Sequence, residues 1–413
     1  MLSLPITRRS FGVVLAGAAA FFDLYAPQAV LPQIAADLGV SLHQIGWVIT
    51  VTTLAVAAIG PFAGALADVV GRKRLIVAGA LALVVPTLLA ATAATFPQLL
   101  VWRAAAGLLM PLIFCVTIAY IGEEWDAGEA RAMTALYMAG AVAGGFSGRF
   151  VCGLIADAMG WRVAFASLGV VNLAIGIGLL FLLQRERSFQ PGRNLRAVLA
   201  AMLVHLRRPD MLAACIVGLL ILFAQVALFT YANLLLAGHP YDLRPGLLAA
   251  VSAVYLLGMV TTPIAGSRLR RFRESVPLSV GSGMFIAGIA LTLVPALWAI
   301  VAGMALASAG TFLSQSAATS FVAASAPEAR SAAVGLYTCF YYVGGSIGAV
   351  VPGAAWYGGG WPAVAALLSI ASLLALVTAV TFWRPCFAVW AAPKVRDERQ
   401  AGCGTARLVP ELS

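Results

Sequence analysis

Twelve apolar runs, each close to the roughly 20 residues that a helix needs to cross the hydrocarbon of a bilayer, recur along this chain between short charged or glycine- and proline-bearing turns. They lie near residues 11–36, 44–67, 75–95, 98–122, 132–156 and 163–183, and then near 211–237, 246–267, 275–294, 297–323, 332–357 and 362–383. Backbone polar groups in hydrocarbon must be bonded internally, so helices are the spanning structures this pattern specifies. Composition agrees: of 413 residues, 62% are apolar and only 10% charged, which excludes a soluble enzyme, a single-span receptor and a DNA-binding protein. Cys115, Cys152, Cys215 and Cys339 fall inside the apolar runs without metal-ligand spacing and read as small core residues.

The longest internal polar stretch, Gln184 to Asp210, carries Arg185, Arg187, Arg193, Arg196, Arg207 and Arg208. It divides the chain into an expected six-helix bundle at 1–183, a cytoplasmic linker at 184–210, a second six-helix bundle at 211–383 and a cytoplasmic tail at 384–413. Within the linker, 195–206 has the pattern of an amphipathic surface helix. The 26 Lys and Arg exceed the 16 acids. With the N-terminus in the cytoplasm nearly all of them fall on that side, and the opposite loops keep only Arg162 and Arg244. That bias places both termini in the cytoplasm, and it makes the net charge a matter of topology rather than of a nucleic-acid partner. Thr7 to Phe11 resembles an export signal, but the apolar run after it continues into a full span, so no cleavage is expected.

The second half repeats the first. At an offset of 200, Leu136-Tyr137 matches Leu336-Tyr337, Gly144-Gly145 matches Gly344-Gly345, and Gly148, Gly153 and Trp161 match Gly348, Gly353 and Trp361. With two residues of slippage, Pro61 and Gly64 match Pro263 and Gly266. A unit of six spans is even, so both copies enter from the same face and are related by a pseudo-twofold axis along the membrane normal. The fold class expected is therefore an all-α membrane protein of twelve transmembrane helices in two such bundles.

Ionisable groups inside the hydrocarbon are costly and are candidates for function. Asp23 lies about 18 Å along span 1, near the midplane, and Pro27 and Pro32 interrupt the same helix. An acid that alternates between environments can carry a proton; a fixed ion pair or contact with a cationic substrate are the other readings. Arg103, near the outer end of span 4, is placed to pair with Asp23 or to snorkel to water. Arg149 stands where the repeat has Ala349, so the charge belongs to one copy only; substrate or carboxylate binding, gating and snorkelling are its readings. Tyr25, Tyr137, Tyr231 and Tyr337 are candidates to line an amphipathic cavity, against a role in packing.

Gly64-Ala-Leu-Ala-Asp68-Val-Val-Gly71-Arg72-Lys73-Arg74, between spans 2 and 3, resembles the signature loop of the major facilitator superfamily, with Val69 where that pattern has a basic residue. The resemblance implies that Asp68 interacts with the N-terminal end of span 11 and holds the halves together in one state. The second copy keeps Gly266 but has Arg270 in place of the acid. Arg103-Ala-Ala-Ala-Gly107 is similar to a second signature tied to proton transfer, and Gly140, Gly144, Gly148 and Gly153 resemble the antiporter signature without its Gly-Pro pair. Asp23-Leu-Tyr25-Ala-Pro27 is similar to an acidic-Tyr-Pro pattern in bicyclomycin-type exporters. Over about residues 8–385 the chain resembles the twelve-span drug:proton antiporter branch, and within it bacterial inner-membrane permeases described as arabinose-efflux-like.

These readings predict a multi-pass transporter of the bacterial inner membrane, monomeric, whose partners are a small molecule, protons and the lipid bilayer. Proton-coupled efflux of a small amphipathic compound by alternating access is the first expectation. Proton-coupled or facilitated uptake of a metabolite is the second, and a sensor or scaffold without transport is the third. Asp23 and Arg103 are assigned to proton coupling, Arg149 and the four tyrosines to substrate or gating, and the loop from Gly64 to Arg74 to the conformational balance. The chain has no phosphate-cradling glycine loop, and His43, His239 and His205 all fall outside the spans. Neither a cofactor, a metal nor enzymatic chemistry is expected.

Overall fold

The computed structural model describes residues 8–41, 44–186, 195–258, 260–261, 275–326 and 330–383. His43, Arg187, Arg193, Pro263, Gly266, Arg270 and the tail lie outside these residues. No strand occurs among them, and nine helices are long and apolar enough to cross a membrane.

The first expected span is broken into three pieces. Helix α1 (Arg8–Leu24) ends before a 3-10 turn (Ala26–Ala29), and α2 (Leu31–Leu38) follows. Pro27 causes the break, because it has no N–H to return to the Asp23 carbonyl and fixes its own φ. The Gln28 N–H bonds the Tyr25 carbonyl instead, at 3.1 Å. Two carbonyls at the end of α1 are thereby left without helical partners.

Long helices follow: α3 (Trp47–Val70), α4 (Arg72–Ala91), α5 (Phe96–Glu124), α6 (Ala127–Met159) and α7 (Trp161–Leu182). Gly71 and Gly160 make the tight corners between α3 and α4 and between α6 and α7, with φ of 96° and 86° that side-chain-bearing residues rarely adopt. The linker segment expected to be helical is α8 (Leu195–Leu206). After it come α9 (Pro209–Ala237) and the short α10 (Pro245–Val251), which continues as a 3-10 turn (Ser252–Leu256). The remainder is α11 (Ser275–Leu291), α12 (Leu297–Ser325), α13 (Arg330–Val350) and α14 (Pro352–Phe382).

Burial ranks these helices. The most apolar window of α9 is 78% buried and that of α7 only 33%, so α9 runs through the interior while α7 turns Val170, Ile177, Leu180 and Phe181 outward. An apolar exterior of this kind is what lipid rather than water tolerates.

The glycine stripes explain the closest helix contacts. A Cβ at Gly140, Gly144 or Gly148 of α6 would overlap the carbonyl oxygens of Val14, Ala18 and Phe22 on α1. On α13, Gly344 and Gly348 stand in the same relation to the carbonyls of Leu219 and Phe223 on α9. Small residues four apart let the two backbones touch, and the internal repeat reproduces that contact. Gly153 packs instead on Ala249 of α10.

Candidate functional site

Asp23 is fully buried at the end of α1, and the carbonyls freed by Pro27 shape its surroundings. Arg103 of α5, 1% exposed, donates from Nη1 to Asp23 Oδ1 at 2.9 Å. Its Nη2 donates to the Asp23 and Leu24 carbonyl oxygens at 3.3 and 3.0 Å. One guanidinium thus neutralises the acid and satisfies the broken helix end, an arrangement the planar fork of arginine suits. Snorkelling is excluded for Arg103 in this conformation.

Thr87 of α4 completes the group. Its hydroxyl lies 2.5 Å from Asp23 Oδ2 and 2.8 Å from the Leu83 carbonyl oxygen, and it has one hydrogen to give. With Asp23 ionised, that hydrogen goes to the carboxylate. With Asp23 protonated, the carboxyl donates to Thr87 Oγ1, and the threonine hydrogen turns to Leu83. Thr87 thus serves either protonation state without moving a heavy atom, whereas protonation removes the counter-charge of Arg103. Sequence reasoning missed Thr87; its only signal was a hydroxyl within an apolar run.

Arg149 of α6 is 2% exposed and points inward rather than to the surface. Nε donates to Gln28 Oε1 at 3.0 Å and Nη1 to the Gly145 carbonyl at 2.7 Å. Three aromatic rings surround its guanidinium carbon: Tyr255 at 4.8 Å, Tyr25 at 5.1 Å and Phe229 at 5.4 Å. Such contacts stabilise a cation removed from water. Gln28 in turn donates from Nε2 to Thr230 Oγ1 at 3.1 Å, and its backbone carbonyl accepts from Asn233 Nδ2 at 3.1 Å. The 3-10 turn of the first span, α6 and α9 are thereby joined by one buried polar network. Gln28, Thr230 and Asn233 went unnoticed in the sequence, although each is a polar residue within an apolar run.

The tyrosines separate. Tyr25 belongs to the arginine cage. Tyr231 donates to the carbonyls of Ala349 and Val350 at 3.0 and 3.3 Å, tying α9 to α13, and Tyr137 donates to the Phe114 carbonyl at 3.5 Å. Tyr337 is buried against Gly218, its ring 5.9 Å from that of Tyr341, and its hydroxyl is unpaired. Nearby, the Thr50 hydroxyl of α3 donates to the Ser346 carbonyl at 2.7 Å, and the Thr53 and Ser346 hydroxyls lie 2.9 Å apart.

The signature loop forms a charge cluster at the opposite end of α3. Arg72 Nη2 lies 2.8 Å from Asp68 Oδ1, and the same guanidinium grips Glu123 of α5 with Nε and Nη2. The Lys73 N–H approaches Glu186 Oε2 at 3.4 Å, and Lys73, Arg74, Arg185 and Glu186 edge a cavity of about 600 Å³. Val69 is 73% exposed, so the missing basic residue would have faced outward. Gly64 has open space beside it. The N-terminal end of α13, where the resemblance placed the partner of Asp68, follows directly on residues 327–329, which lie outside those described; among the described residues Asp68 bonds Arg72. No group of three or more metal-ligating side chains occurs among the described residues.

A sequence model of the Major Facilitator Superfamily matches residues 13–349 and 245–401, together nearly the whole chain. The chain belongs to that superfamily. Among relatives, the inner membrane transport protein YnfM of Escherichia coli is 30% identical over 379 residues, covering 91% of each chain. The uncharacterized MFS-type transporter YybF of Bacillus subtilis is 29% identical over 374 residues, covering 90% of this chain and 93% of its own. A crystal structure of a bacterial homologue of the human lysosomal transporter Spinster, inward-facing and unoccupied, superposes with a TM-score of 0.69 over 92% of this chain and 96% of its own, at 16% identity, and shares the fold. This member of the superfamily is a multi-pass membrane transporter rather than an enzyme, and it handles small molecules.

Proposed function

We propose that the chain is a proton-coupled exporter of small amphipathic compounds in the bacterial inner membrane, monomeric, with both termini in the cytoplasm. Its working parts are two six-helix halves, 1–183 and 211–383, joined by the linker at 184–210 and followed by a cytoplasmic tail. The repeated α1–α6 and α9–α13 glycine contacts support that division, because each half contains the same rigid pair. The halves rock about a central site, so that the site faces one side of the membrane at a time.

One observation supports the coupling: a buried carboxyl, Asp23, held in its ionised form by Arg103 and bonded by Thr87, whose hydroxyl serves either protonation state. Arg103 holds the ionised form after proton release to the cytoplasm. When the halves reopen to the periplasm the compound leaves, Asp23 takes a proton and frees Arg103, and on return the proton passes to the cytoplasm, the Asp23–Arg103 pair re-forms and the next compound binds. The contacts of Thr50 and Thr53 of α3 with Ser346 of α13 act as the gate that closes the periplasmic end, and Tyr231 braces α9 against α13 within the second half. Tyr25, Tyr337 and Arg149 contribute to the substrate site, and Tyr137 braces α6 against α5. The loop from Gly64 to Arg74 sets the balance between states from the cytoplasmic end.

The test uses everted membrane vesicles acidified inside, challenged with amphipathic compounds of different charge, for wild type and Asp23→Asn. Collapse of the proton gradient by a compound in wild-type vesicles alone is the expected result. Equal collapse in both would remove Asp23 from coupling. Equilibration of labelled metabolite without any proton movement would favour uptake.

A further inference from the structure

We infer that Arg149 reads the charge of the transported compound, and that the compound is an organic anion bearing an aromatic ring. The inference rests on the proposed transport function and names the substrate class of its central site.

The charges buried within the spans do not balance. Asp23 and Arg103 neutralise one another, whereas Arg149 forms no ion pair among the described residues. Its side-chain partner Gln28 is a neutral amide already engaged with Thr230. A buried cation left unpaired is costly, and the cost is relieved when a ligand brings the counter-charge. Guanidinium binds carboxylate in two-point fashion, and the hydrogen bonds Arg149 makes within the protein run from Nε and Nη1 to neutral oxygens. The Tyr25 hydroxyl is buried and also unpaired, which provides a further donor on the same cage.

The cage explains the aromatic requirement. Tyr25 comes from the first half of the chain and Phe229 and Tyr255 from the second, and their faces hold the guanidinium when no anion is present. Flat apolar faces beside a cation form a seat for an aryl group carrying a negative charge. The seat lies between the halves, where alternating access would expose it to either side. Nor does the fold itself need the charge, because the repeat places Ala349 at the equivalent position after Gly348. The same field disfavours cationic compounds. Exchange of one monoanion outward for one proton inward moves two positive charges inward per cycle, so transport should respond to the membrane potential.

The test is binding to the purified full chain in detergent, with three probes of one size: 4-phenylbutyrate, its neutral amide and 4-phenylbutylamine. Wild type should bind the carboxylate in preference to the other two. Arg149→Gln should weaken carboxylate binding about tenfold or more, the worth of one charge-assisted contact, and Arg149→Lys should restore part of it. Asp23→Asn should keep carboxylate binding while losing proton coupling. Preference for the amine, failure of wild type to bind the carboxylate, or unchanged binding in folded Arg149→Gln would each overturn the inference. Arg149-dependent carboxylate binding alongside undiminished proton flux in Asp23→Asn would sustain it and sink the coupling scheme instead.

Discussion

Arg103 grips Asp23 at both its carboxylate and its backbone, with Nη1 on Oδ1 at 2.9 Å and Nη2 on the carbonyl at 3.3 Å. The side chain is at once counter-ion and helix cap, so removing either partner has unequal consequences. Asp23→Ala leaves a buried guanidinium without its acid and should lower stability by about 3–5 kcal/mol. Asp23→Asn retains an oxygen acceptor for Nη1 and should lose less. Thermal unfolding of the purified variants in detergent checks the order; a more stable Ala variant would contradict the double role.

The superfamily glycines should divide by what their missing side chains would meet. Gly148→Ala drives a methyl into the Phe22 carbonyl next to Asp23, and the approach is backbone to backbone, so the helices must separate. A loss of about 1–3 kcal/mol and impaired transport are expected. Gly64→Ala meets open space and should leave stability within about 0.5 kcal/mol of wild type. Any transport defect in folded Gly64→Ala would then belong to the other conformational state, in which α3 meets a different neighbour. Parallel melting and flux measurements on the two variants separate these outcomes.

What the sequence made legible follows the strength of its physical signals. Long apolar runs specify the helices, because they are a local pattern; the glycine spacing of α6 was visible too, but that α1 is the helix it meets came only from the fold. Asp23 and Arg103 could be singled out because a charge in hydrocarbon is conspicuous, and their pairing was one of the readings Arg103 allowed. Thr87 and Gln28 stayed hidden, since a hydroxyl or amide costs little in an apolar run and gains meaning only from a partner distant in sequence. Span 1 illustrates the limit: Pro27 was visible as a break, yet that the freed carbonyls would be claimed by Arg103 depends on packing that no spacing encodes. Tyr137 and Tyr231 looked equivalent to Tyr25, and only the fold shows them bonded to backbone carbonyls away from Arg149.

Outside the spans, Asp37 accepts from Trp161 Nε1 at 3.1 Å and pairs with Arg162, linking the end of α2 to the start of α7. The Arg162 hydrogen bond, followed by that from Trp161, holds the Asp37 carboxyl below its usual range. The folded value lies below the unfolded one near 3.9, so the contribution is complete above that pH and is lost as pH falls through the folded value. Wild type should therefore be more stable than Asp37→Asn near neutrality, by a small margin because the pair is exposed, and the margin should vanish on acidification. Melting both proteins from pH 7 down to about 3 tests this, because the margin begins to shrink once pH falls below about 3.9; a margin as large at the acid end as at neutrality would show that the carboxylate charge is not what matters.

Charge exchange tests the signature loop. Asp68→Lys sets a second cation against Arg72 and leaves Glu123 to hold both, which should cut transport without preventing insertion. Restoring an acid–base pair by Asp68→Arg together with Arg72→Asp should recover part of the flux if the pair acts through its charges. Flux normalised to the amount of protein in the membrane provides the comparison. A double variant no better than Asp68→Lys would mean that geometry with Glu123, rather than charge balance, is what the loop supplies.

Thr53 and Ser346 give the most direct handle on alternating access. Their hydroxyls lie 2.9 Å apart, and they join α3 of the first half to α13 of the second. Side chains this close suit a disulfide, which needs Cβ atoms about 3.5–4.5 Å apart. Cysteines placed at 53 and 346 should cross-link under mild oxidation with the two helices held as they are here, because the substitution exchanges one short bridge for another. If the halves must part at this contact for the site to open, the cross-linked protein will not transport, and a reductant will restore flux. Either single cysteine variant should remain active under the same oxidant, which controls for the free thiols of Cys115 and Cys339. Full transport by a protein shown to be cross-linked would mean that α3 and α13 move as one body and that the opening lies elsewhere.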